Sequence, residues 1–123
     1  MKGVPDTLFT LKMTSREGVM RITEPDWKIF KKIHAAALER FSRRILQESR
    51  AICDDESLSA HERYIRLYKH IQKRDEEMAR AFNDYRRSTA MICLKHMVYM
   101  DLVTDEEFSQ LSPELQAFLR FEI

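Results

Sequence analysis

Apolar residues recur at intervals of three and four along most of this chain, which is the period of an amphipathic α-helix. Trp27, Phe30, His34, Ala37, Phe41, Ile45 and Ile52 share one side of a first helix, broadened by Ile33 and Leu38. Lys28, Lys32, Arg43 and Arg50 fall on the opposite side and form a solvated basic face. A second series runs Tyr64, Tyr68, Ile71, Asp75, Met78, Phe82, Tyr85, Thr89, Ile92, His96, Tyr99, with an aspartate where an apolar residue is expected. The stripe keeps its phase across Asp75, so this residue reads as a polar device at the edge of a seam rather than as a break.

Punctuation supports the same reading. Glycine occurs only at 3 and 18 and proline only at 5, 25 and 113, so no helix breaker lies between Pro25 and Pro113. A β or α/β domain needs tight turns, and so long a stretch without glycine or proline argues for helix. The first helix is expected from about Glu24 to Ile52, with Thr23 as its cap, Asp26 closing a capping box and Pro25 in the first turn. Asp54 to Leu58 reads as the connecting loop, and Ser59 with Glu62 as the next capping box. So short a connection makes its flanking helices antiparallel neighbours.

The second helix is expected to run unbroken from Ala60 to Tyr99 or Met100, the alternative being a break near Asp75 or at Asn83 or Asp84. Unbroken, it is roughly 60 Å long against roughly 43 Å for the first helix, at ~1.5 Å per residue. An apolar stripe that outruns its partner must either fold back on itself or find a second chain. The expected fold is therefore all-α: an antiparallel pair of long helices and two short C-terminal helices, forming a dimeric helical bundle. Residues 23–123 are read as a single helical domain.

Thr104 with Glu107, and Ser112 followed by Pro113, announce the two short helices. Phe108, Leu111, Leu115, Phe118, Leu119 and Phe121 are expected to dock them on the long pair. From Leu102 onward one arginine stands against five acids, so this acidic tail is expected to neutralise part of the basic surface. Residues 1–22 read as an extension or as a small β-hairpin, with "TLFTLKM" and "VMRI" flanking a turn at Gly18; the competing reading makes Met13 or Met20 the natural start.

Charge narrows the function classes. With 21 basic and 20 acidic residues the chain is no general polyanion binder, although "KIFKK", "RFSRR" and "DYRRS" place Lys28, Lys31, Lys32, Arg40, Arg43, Arg44, Arg86 and Arg87 on the surface. No stretch has the ~18 apolar residues of a membrane span. The two cysteines, 53 and 93, have no CxxC spacing and follow no secretory core, which reads as reduced thiols in a cytoplasmic protein.

Chemistry leaves few candidates. A carboxylate-bridged di-iron site needs Glu-x-x-His pairs, and the residues three before the four histidines are Lys31, Leu58, Leu67 and Cys93. No glycine-rich loop or Gly-x-Ser-x-Gly is present, and no cofactor or metal is expected. Cys93-x-x-His96 is the one thiol–imidazole pair at helical spacing, hence an alternative metal or redox site. A polar seam of His34, Asp75, Thr89 and His96 is expected among the apolar residues. Tyr64, Tyr68, Ile71, Met78, Phe82 and Tyr85 are expected to form the interface. The function expected is a small non-enzymatic interaction or oligomerisation module, a homodimer that binds another protein; the main alternative is a nucleic-acid-associated regulator using the basic face.

Overall fold

The computed structural model describes residues 21–120. The expected hairpin, the alternative starts and Phe121 lie outside them. The described residues fold as five α-helices: α1 Glu24–Cys53, α2 Ala60–Phe82, α3 Ala90–Tyr99, α4 Asp105–Ser109 and α5 Pro113–Arg120, with a 3₁₀ turn at Arg87–Thr89. No strand occurs among them, so the class is all-α. None of these helices is long and apolar enough to cross a membrane.

Local capping sets the helix starts. Thr23 accepts from the Asp26 amide, and the Ser59–Glu62 and Thr104–Glu107 boxes are both closed. Asp26 departs from expectation. Its carboxylate, only 4% exposed, accepts the Ser112 amide at 2.9 Å and the Ser112 hydroxyl at 2.5 Å. Ser112 in turn caps α5 by accepting from the Leu115 amide. A residue suited to close a local box thus ties the first turn of α1 to the start of the last helix.

α1 and α2 are antiparallel: Arg63 donates to the Cys53 carbonyl, His70 and Arg74 meet Glu48, and His34 meets the Phe82 carbonyl. The unbroken second helix does not form. α2 ends at Asn83, and Arg86 is extended before the 3₁₀ turn leads into α3. Carbonyls released by this break find other donors. His34 Nε2 donates to Phe82 at 3.2 Å, Thr89 Oγ1 donates to Asp84 at 2.8 Å, and the Cys93 thiol points at the carbonyls of Arg80 and Asp84. A buried carbonyl left without a donor costs on the order of 1–3 kcal/mol, so these side chains make the break tolerable.

Folding back at Asn83 lets α3 cover α1. One core cluster unites Phe30, Ile33, Ala37 and Phe41 with Ala81, Phe82, Leu94 and Met97, and closes with Leu102, Leu111, Leu115 and Leu119. The C-terminus of α3 ends in a Schellman motif, with the Leu102 amide on the Met97 carbonyl and the Asp101 amide on that of Val98. Asp101 occupies the left-handed position at φ 60°, where glycine is the usual residue. Arg44 caps the carbonyls of Met100 and Asp101. Arg40 reaches the Leu102 carbonyl and makes a two-pronged pair with Glu107 at 2.8 and 2.7 Å. To that extent the acidic tail meets the basic helix.

Two stability changes are expected in urea titrations. Asp26→Ala, which strands the Ser112 amide, lowers stability by about 2–4 kcal/mol, given about 1.5–3 kcal/mol for a hydrogen bond to a charged group. Asp101→Gly relieves the left-handed strain and raises it by about 1 kcal/mol.

Candidate interaction face on the helical hairpin

The core stops partway along the hairpin. Between Ser42 and Arg80 no residue is fully buried, so the distal part of α1 and α2 projects without a sealed interior of its own. Half-buried residues along α2 are Arg63, Leu67, His70, Arg74, Glu77 and Met78. This seam toward α1 lies one residue before the expected stripe of Tyr64, Tyr68, Ile71 and Asp75. One residue is about a quarter turn of helix, enough to move the whole stripe out of the contact.

An ionic cluster fills much of the seam, beside half-buried Leu67. Glu48 accepts Arg74 Nη2 at 2.6 Å and Arg74 Nε at 3.0 Å, His70 Nε2 lies 2.8 Å from it, and Arg74 also binds Glu77 at 2.7 Å. The Arg74 guanidinium sits over the Phe41 ring, joining this cluster to the core. Hydrogen bonding by Arg74 is the main reason the Glu48 carboxyl lies below its usual range, with His70 adding to it against burial. Arginine and histidine stems supply the apolar contact that leucines would make in an ordinary pair.

Displaced from the seam, the aromatic stripe is open: Tyr64 is 63% exposed, Tyr68 56% and Ile71 43%. Ile65 and Asp75 are exposed beside them. Because the helices run in opposite directions, the residue after each seam position turns to the same side of the pair on both. Leu46, 64% exposed and next to half-buried Ile45, therefore shares that side. The rest of the expected interface packs at the core end of the fold, Tyr85 while still 47% exposed. Phe82 is buried, Met78 packs on the core, and Tyr85 stacks within a cluster of Trp27, Phe30 and His34.

Members of the expected polar seam have separate surroundings. His34 and Thr89 serve the break after Phe82, Asp75 faces solvent, and His96 lines a cleft of about 280 Å³ with Glu77, Arg80, Tyr99 and Met100. Burial and the nearby Arg80 lower the proton affinity of His96. Cys93 is not among the cleft's lining residues; its thiol points at the carbonyls of Arg80 and Asp84, and burial pushes its pKa up. Among the described residues no three His, Cys, Asp or Glu side chains group as metal ligands. The basic face is partly spent: Lys28, Lys32, Arg43 and Arg50 are exposed, but Arg40 and Arg44 cap α3, Arg86 pairs with Asp84, and Arg87 pairs with Glu24.

Sequence reasoning missed the Glu48–Arg74 cluster, the tie between Asp26 and Ser112, and Leu46. Counting five residues outward from Cys53 and from Ala60 sets Glu48 level with Ile65 rather than with His70 or Arg74, so neither this count nor apolar periodicity points to the cluster. Comparison with known proteins returned no matching family, no matching curated protein and no matching solved structure.

Two measurements check this geometry. The Glu48 carboxyl is a stronger acid when folded, so its contribution is complete above the ordinary glutamate value of about 4.3 and is lost as pH falls through the lower folded value. Melting temperature should therefore decline on acidification below that range, and less steeply for Glu48→Gln. A thiol reagent added to native protein should label exposed Cys53 promptly and reach buried Cys93 only after denaturation.

Proposed function

We propose that this chain is a non-enzymatic helical interaction module that self-associates through the open face of its α1–α2 hairpin. The observation that carries the reading is the exposed run of Tyr64, Tyr68 and Ile71, with Ile65 and Leu46 beside it, on a hairpin arm that has no sealed core. Single exposed apolar residues are ordinary on a folded surface, whereas a contiguous apolar patch marks an interaction site. Tyrosines suit such a face, since they offer large contact area with few rotatable bonds and a polar tip that tolerates water when the partner is absent.

Helix length does not call for a second copy. α2 has 23 residues and α1 has 30, so α2 does not outrun its partner. What favours association is where the apolar surface has gone. The distal seam is largely ionic, and Tyr64, Ile65, Tyr68 and Ile71 of the same helix are turned outward.

Full exposure of an aromatic side chain presents about 150–250 Å², and these residues are roughly half exposed, so the patch offers on the order of 500 Å² per copy. A pair would bury roughly 1,000 Å², at the lower end of specific interfaces, which implies roughly micromolar association. Sedimentation equilibrium on the full chain should show a monomer–dimer equilibrium in that range. Ile71→Lys should weaken it at least about tenfold, the equivalent of about 1.4 kcal/mol, with the circular dichroism spectrum unchanged. A wild-type chain that stays monomeric to high micromolar concentration contradicts the reading.

A further inference from the structure

The outward stripe has a property that its exposure alone does not convey: Tyr64, Tyr68, Ile71 and Asp75 are spaced four, three and four residues apart, and this spacing reads the same in both directions. We infer, resting on the self-association proposed above, that two copies pair their α2 helices antiparallel about a two-fold axis between Lys69 and His70. Tyr64 then meets Asp75 of the second copy, and Tyr68 meets its Ile71.

Three observations select this arrangement. An isologous contact requires each patch to complement itself after a two-fold rotation, and the four-three-four spacing does so without a register offset. Polarity matches as well. The Asp75 carboxylate at one end of the stripe faces the Tyr64 hydroxyl at the other, while the Tyr68 hydroxyl between them is engaged by Gln72 at 3.1 Å. His61, whose ring lies 6.3 Å from that of Tyr64, stands at the same end and gives Asp75 a second facing group.

Charge excludes the opposite direction. A parallel pair would set Asp75 against Asp75, like charges whose apposition is unfavourable. In the antiparallel pair each carboxylate meets donors. Asp75 thereby acquires the role of a single polar residue in a helical seam, which fixes direction and register at some cost in stability. The arms overlap at mid-hairpin, leaving the two cores at opposite ends, so the buried proximal helices do not obstruct the pairing.

Cross-linking of the full chain in a Cys53→Ser background tests the register. In the antiparallel pair, two Tyr64 positions lie roughly 16 Å apart along the axis, at ~1.5 Å per residue, as do two Asp75 positions. A bis-maleimide too short for that gap should join Tyr64→Cys to Asp75→Cys when the two variants are mixed, at least tenfold faster than it joins Tyr64→Cys, which keeps its aspartate, to itself. Adding Asp75→Leu to Tyr64→Cys should release the direction, so that this double variant cross-links to itself. Both sites are exposed, and circular dichroism verifies that each variant remains folded.

Self-cross-linking of Tyr64→Cys alone, or no cross-link in a chain that sediments as a dimer, overturns the register while leaving self-association standing. Failure of the double variant to cross-link to itself overturns the role given to Asp75. A wild-type chain that is monomeric by sedimentation overturns both readings and assigns the stripe to a different protein.

Discussion

The fold turns on a carbonyl that the helix gives up. At Phe82 the oxygen accepts from His34 rather than from an amide farther along its own helix, and the chain leaves its straight course one residue later. The packing of α3 against α1 follows from that departure. α3 can return over Phe30, Ile33 and Ala37 only because α2 stops where it does, and α4 and α5 then close the core through Leu111, Leu115 and Leu119. With an acceptor-only carbonyl opposite, His34 must present a protonated Nε2, which fixes its tautomer as part of the architecture.

A second set of contacts secures the closing segment. Arg40 and Arg44, one turn apart on α1, donate to the three successive carbonyls at the end of α3, and Arg40 adds Glu107 of α4. Glu107 lies below its usual carboxyl range chiefly because of that guanidinium, and the pair is partly shielded from solvent. Asp26 and Ser112 join the outer ends of α1 and α5 in a comparable way. Helices of five and eight residues are too short to persist alone, and side chains borrowed from α1 hold their ends in place.

What was legible in the sequence follows the range of the interactions concerned. Thr23, Ser59 with Glu62, Thr104 with Glu107, and Ser112 before Pro113 mark true helix starts because capping is settled within three residues. Asn83 was visible as an alternative break, yet its outcome depends on His34, Thr89 and Cys93, which reach it from elsewhere. The hairpin seam was misplaced by one residue for a related reason. Periodicity counts apolar residues as inward, and here Arg63, His70 and Arg74 face inward because carbonyls and a carboxylate await them on α1. No pattern confined to α2 contains that information.

α1 is one uninterrupted helix of 30 residues, with no glycine and with its only proline in the first turn. The same stiff rod therefore carries the sealed core at one end and the open arm at the other. A load applied at the arm reaches the core as a change of heading rather than as a bend, since helices of this kind curve only gently. The protein is built like an oar, with the blade free and the grip embedded. Whatever holds the blade also aims everything mounted at the grip.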